Sequence, residues 1–158
     1  MSHVVGIELR VRDLDALARA IAEFPELEFM RGQRTFNWYG RYMADYSAPD
    51  AAFNLGIKPE DYGKCHHAIR MKGNPDAYEI GVVERADGDG YVLVFDFFCQ
   101  DQNITRIAGG QDLRGLIKEY RHQVVIQDAG VQELLNKGYH IEKDIQENGD
   151  WQTIITNE

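Results

Sequence analysis

Cysteine is scarce in this chain: Cys65 and Cys99 are the only two in 158 residues. One pair at that separation is not a disulfide framework. No Cys-x-x-Cys or His-x-x-x-His pair occurs, so the spacing that announces a structural zinc site is missing. No apolar run approaches the roughly 20 residues of a membrane span. The opening Met1-Ser2-His3-Val4 has no basic region followed by an apolar one, so neither a leader nor a membrane segment is expected. A basic excess is also missing. Net charge is −9, and acids outnumber bases in every third of the chain, which argues against a non-specific nucleic-acid footprint. The acids are spread out, so solubility is the plain reading of the charge. There is no Walker loop, Rossmann glycine fingerprint, His-Glu-x-x-His or nucleophile elbow. A reducing cytoplasm or plastid stroma is the expected compartment.

What is present fits one globular domain. Hydrophobic content is 44% and charged content 27%, values that oppose disorder. A chain of this length buries a core without metal or disulfide staples. Val5, Ile7, Leu9 and Val11 alternate with charged residues, predicting a half-buried strand. Asp13 offers an N-cap, and Leu14, Leu17, Ala18, Ile21 and Phe24 follow at helical spacing until Pro25 stops them. Leu27 and Phe29 open a second strand, and Thr35 to Trp38 a third. Residues 43–64 read as an irregular loop or lid, broken by Pro49, Gly56 and Gly63.

His67, Ile69 and Met71 alternate with His66, Ala68 and Arg70, giving another strand that places His66 and His67 on opposite faces. Tyr78, Ile80 and Val82 continue the pattern. Asp87-Gly88-Asp89-Gly90 is a hairpin turn; it lacks the spaced ligands and distal glutamate of a calcium loop. Tyr91 to Cys99 is almost wholly apolar and reads as a central strand covered on both faces. Asp112 is a second N-cap candidate, before Leu113, Leu116, Ile117 and Tyr120 on one helical face. Val124-Val125-Ile126 suits either a helix or a strand, and Gly130 divides two helices. A hairpin closes the chain, Ile141 to Gln146 and Trp151 to Thr156 flanking an Asn148-Gly149 turn. The expected fold is α+β over residues 1–158: a mainly antiparallel sheet with two or three helices on one face.

Several short motifs together resemble a known family. They are Met1-Ser2-His3, Asp13-Leu14-Asp15-Ala16-Leu17, Gly63-Lys64-Cys65-His66-His67-Ala68-Ile69, Tyr78-Glu79-Ile80-Gly81-Val82-Val83 and Gly138-Tyr139. The chain is similar to the ycf-thirty-five-like domain of unknown function, found in cyanobacteria, plastids, other bacteria and phages. The resemblance spans nearly the whole chain, and the segment with Gly63-Lys64-Cys65 is similar to the longer bacterial and phage form. It brings no established activity with it. It implies an accessory role beside an AAA+ ATPase, because members are sometimes encoded near one, and a host cytoplasm if the chain is phage-encoded. Members tend to carry a histidine three residues after the tyrosine of the penultimate helix. Here Tyr120 is followed by Gln123 at that place, with His122 one position early.

Three groups of residues invite chemistry. Cys65, His66 and His67 are of metal-ligating type, with Cys65 and His67 sharing a strand face, but no partner spacing completes a site, so no cofactor is expected. Cys65 with a histidine and Asp96 would make a nucleophile, base and orienter, the core of a hydrolase on a nucleotide-like substrate. Asp96 lies in an apolar strand and needs a pocket or a basic partner such as Arg70. Third, Arg31, Arg34 and Arg41 with Phe36, Trp38, Tyr39 and Tyr42 form a cationic, ring-rich segment containing no acid. Guanidiniums fork onto phosphates and carboxylates, and rings stack on bases. Arg31, Arg34, Trp38, Tyr39 and Arg41 are therefore the expected ligand contacts of a non-catalytic binding module for a protein partner or a small anionic ligand. The packing alternative makes Phe36 and Trp38 core. A further alternative is a structural subunit that self-associates through the edge of the C-terminal hairpin.

Overall fold

The computed structural model describes residues 4–38, 63–74, 76–96, 104–108, 113–148 and 150–157. Its elements in chain order are β1 (Val4–Val11), α1 (Leu14–Ala22), β2 (Leu27–Arg31), β3 (His67–Met71), β4 (Ile80–Glu84), β5 (Tyr91–Asp96), α2 (Ile104–Ile107), α3 (Arg114–Gln127), α4 (Ala129–Asn136), β6 (His140–Ile145) and β7 (Trp151–Thr156). Five strands form one sheet in the order β1-β5-β4-β3-β2. Every neighbouring pair is antiparallel. β6 and β7 form a separate two-stranded sheet. The fold is α+β.

β1 and β2 lie at opposite edges of the large sheet, so α1 between them crosses its face. Asp13 starts that helix: its Oδ1 accepts from the Ala16 N–H at 3.0 Å, satisfying a donor the first turn leaves open. Ala16, Leu17, Ala20 and Ile21 are buried on the sheet side. They meet Leu27, Ile69, Ile80, Val82, Leu93 and Phe95 from the strands, Ile104 and Ala108 around α2, and Leu113, Leu116 and Tyr120 around α3. Helices α1, α2 and α3 thus share one face. The Tyr120 hydroxyl accepts from the backbone N–H of Arg12 at 3.1 Å and of Asp13 at 3.3 Å, fastening α3 to the turn between β1 and α1.

The other face carries a smaller core of Phe36, Cys65, Ala68, Val92 and Val94, with Met30, Trp38 and Val83 packed against it. The central-strand expectation for β5 holds: Val92 and Val94 face this second core while Leu93 and Phe95 face the first. The covering layer is the strip 33–38, and it is not a third strand. Its ladder is one bridge, Thr35 to Lys64, and buried Glu79 holds the rest. Glu79 accepts from the Asn37 N–H at 2.7 Å and from Gln33 Nε2 at 3.1 Å.

Other expectations shift too. The β4–β5 turn falls at 85–90, with Gly88 and Gly90 at φ of 73° and 87°. Val124-Val125-Ile126 is helical. The break between α3 and α4 is at Asp128, not Gly130, because the Asp128 carboxylate caps the Gly130 and Val131 N–H groups at 2.9 and 3.1 Å. The Asp112 cap expectation lies outside the described residues. Leu113 takes the position before α3 with φ of 55° and is fully buried. Most of the expected loop 43–64 also lies outside the described residues; only Gly63 and Lys64 belong to them.

Candidate functional site: a histidine corner of the sheet

The residues singled out from the sequence divide between the two faces. Cys65 belongs to the second core and is 5% exposed. Its Sγ donates to the Gln33 carbonyl at 3.1 Å. Burial and the nearby Glu79 carboxylate push its thiol up to about 12, so at neutral pH it is neither thiolate nor nucleophile.

Asp96 is described by its backbone. It closes β5 and pairs with Val4. The histidines lie by Tyr91 at the opposite end of that strand. Five residues of strand separate the two ends by about 16 Å, so His66, His67 and Asp96 do not converge. Arg70 is no partner for Asp96 either: its Nε donates to Glu28 Oε2 at 2.9 Å, directly across the β2–β3 ladder.

His66 and His67 do come together. The chain bends at His66, and β3 begins only at His67, so strict alternation does not apply to the pair. The His67 ring lies 5.5 Å from Tyr91 and 5.8 Å from Phe29, centroid to centroid, and His66 lies 6.4 Å from Tyr91. Each imidazole is fixed by a backbone amide. The Gly32 N–H donates to His67 Nδ1 at 3.0 Å, and the Glu84 N–H donates to His66 Nδ1 at 3.0 Å. An amide N–H only donates, so each Nδ1 is an acceptor and each neutral ring carries its proton on Nε2. His66 Nε2 lies 3.8 Å from Glu84 Oε2. His67 Nε2 has no partner among the described residues.

Two arginines act on this corner. Burial, then the charges of Arg31, His66 and Arg34, lower the pKa of His67 below its ordinary value. Arg31 stands opposite His67 in the β2–β3 ladder, over the Phe29 ring at 5.6 Å, and donates to Asp15 Oδ1 at 2.6 Å. Arg34 is exposed and makes no ion pair among the described residues.

The aromatic part of the expected surface turns inward instead. Phe36 is 4% exposed and lies on Gly81, where a Cβ would stand 2.5 Å from the ring. Trp38, expected to stack on a ligand, packs on Gly63, whose φ of 88° and missing side chain let the indole rest on the backbone. Tyr39 and Arg41 lie outside the described residues. Among the described residues no group of three metal-ligating side chains gathers, and no helix is long and apolar enough to cross a membrane.

Sequence reasoning missed Tyr91, Phe29 and Glu84 as companions of the histidines. The one available signal was the polar-aromatic end of each strand next to the His66-His67 pair. No protein-family model, curated protein or solved structure matches the chain. The likeness to the ycf-thirty-five-like family therefore rests on the motifs quoted above.

Proposed function

We propose that this chain is a non-catalytic binding module, and that the corner formed by Arg34, His67 and His66, walled by Tyr91 and Phe29, recognises a small anion bearing phosphate or carboxylate groups. The supporting observation is the locked tautomer of His67. Its Nε2–H is a fixed donor with no partner among the described residues, and the Arg34 guanidinium, which makes no ion pair there, is one of the charges that lower the His67 pKa. Fixed donors next to a guanidinium bind oxyanions by charge-assisted hydrogen bonds. The acidic segment of a protein partner, such as the ATPase that the family resemblance suggests, presents the same oxygens to this corner.

The same tautomer weighs against the rival readings. A metal at Nε2 would need that nitrogen deprotonated, moving the ring proton to Nδ1, where a backbone N–H already points. A general base at Nε2 meets the same conflict. The hydrolase reading also needs Cys65, whose thiol is buried, bonded to Gln33 and raised to about 12.

The test is a titration of the full chain with inorganic phosphate and with citrate, read at the His67 ring nitrogens and the Arg34 side chain by NMR. Saturable shifts at both groups in the wild type, lost at His67 in Arg34→Glu with the fold retained, support the reading. Equal shifts in wild type and Arg34→Glu defeat it.

A further inference from the structure

The C-terminal hairpin has two edges of different character. β6 runs His140-Ile141-Glu142-Lys143-Asp144-Ile145 and carries three charges in a row. Charged side chains are a usual means of blunting an edge strand. β7 runs Trp151-Gln152-Thr153-Ile154-Ile155-Thr156, with no charge, no proline and no glycine. β7 pairs with β6 and with no other strand among the described residues.

The phase of the hairpin tells which β7 groups point away from β6. The Gln146 N–H donates to the Asp150 carbonyl at 2.7 Å, so bonded pairs recur at every second position. They are Asp144 with Gln152, Glu142 with Ile154, and His140 with Thr156. Trp151, Thr153 and Ile155 therefore turn their backbone N–H and C=O outward. Trp151 is already satisfied there: its N–H donates to Asp150 Oδ1 at 2.9 Å, and its carbonyl accepts from Lys118 Nζ at 3.2 Å. The outward groups of Thr153 and Ile155 have no partner among the described residues.

We propose that this edge of β7 pairs with β7 of a second copy of the chain, in an antiparallel arrangement whose two-fold axis passes through Ile154. Such an axis stands perpendicular to the sheet and keeps each side chain on its own face, so only registers that match faces are allowed. The register centred on Ile154 sets Thr153 opposite Ile155 of the copy. The outward N–H and C=O groups of those residues then satisfy one another. No like charges come opposite each other within β7. Ile154 meets its own counterpart in the closer, unbonded type of pair.

The side-chain pattern agrees. On the inner face Thr153 Oγ1 lies 2.7 Å from His122 Nδ1 of α3. On the outer face the described companions of Ile154 are His140, Glu142, Asp144, Gln152 and Thr156, so it is the one aliphatic group there, and it sits on the proposed axis. Pairing would turn a two-stranded hairpin into a four-stranded sheet, which removes the marginal stability of two strands alone. The inference stands apart from the anion corner and does not depend on it.

The experiment is sedimentation equilibrium of the full chain across a wide concentration range, with two variants. Ile154→Lys puts two lysines on the axis, while each lysine faces Glu142 of its own hairpin, so the fold is kept. Gln152→Lys adds the same charge to the same face, opposite Asp144 and away from the axis. Wild type and Gln152→Lys should rise from 18.1 kDa toward twice that mass, and Ile154→Lys should weaken association by roughly tenfold or more. Circular dichroism of each variant confirms folding. A wild type that stays monomeric overturns the inference, as does a dimer that Ile154→Lys leaves intact. Equal weakening by both variants also overturns it, because it would report total charge and not the register. A monomer that gains mass only with a different protein overturns the choice of a second copy.

Discussion

The backbone N–H of Gly32 donates to Nδ1 of His67 at 3.0 Å, and this bond sets the chemistry of the ring. It fixes the neutral tautomer and opposes protonation, in the same sense as the burial and the Arg31, His66 and Arg34 charges that lower the His67 pKa. Long-range proton–nitrogen NMR at pH 8 should show His67 with its proton on Nε2. Replacing Arg34 by Ala should raise the His67 pKa, since one of the charges that lowers it is removed. An unchanged value would mean that Arg34 does not face the ring.

Two lowered histidines give a pH dependence with a definite sign. His67 and His122 both titrate below their ordinary 6.5, each chiefly through burial, with Arg31 acting second on His67 and Lys143 second on His122. Glu119 and Glu23 act in the opposite direction on His122. The unfolded chain then binds more protons than the folded one between the two sets of pKa values, so stability increases with pH there. The contribution is complete above about pH 6.5 and is lost as pH falls through the folded values. Urea midpoints at pH 7.5 and 5.5 should differ in that direction, and His67→Gln should narrow the difference.

Much of this architecture is legible in the sequence, and the unread parts have a common cause. Asp13 announces α1, the apolar run of β5 announces a strand with two covered faces, and Gly88 and Gly90 announce the turn. These signals are local. The strip 33–38 alternates like a strand at Phe36 and Trp38, yet its backbone is held by the Glu79 carboxylate, 42 residues on from Asn37. His66 and His67 obey no strand alternation because the amides of Glu84 and Gly32, 18 and 35 residues away, take their Nδ1 atoms. Contacts at that range leave no trace in periodicity. Cys65 is buried in the second core, where an unpaired cysteine behaves as a small hydrophobe.

The Phe36 ring on Gly81 makes that glycine a packing requirement. A Cβ there would stand 2.5 and 2.7 Å from ring carbons and 3.1 Å from Val94 Cγ2. Gly81→Ala should cost about 1 to 3 kcal/mol by overpacking, measured by urea unfolding. An unchanged midpoint would show that the strip 33–38 does not cover this face.

Cys65 should be inert in the native protein. With its thiol at about 12, iodoacetamide at pH 8 should leave it unmodified in peptide maps of the folded chain and modify it after unfolding. Cys65→Ser, which keeps a donor for the Gln33 carbonyl, should leave anion binding at the corner unchanged. Rapid native alkylation would reopen a nucleophilic role.

The most direct measurement is the phosphate and citrate titration followed at His67 and Arg34, repeated on Arg34→Glu. The binding account predicts saturable shifts of both groups in the wild type and none at His67 in the folded variant. Silence at His67 in the wild type, or identical curves in the two proteins, would contradict it.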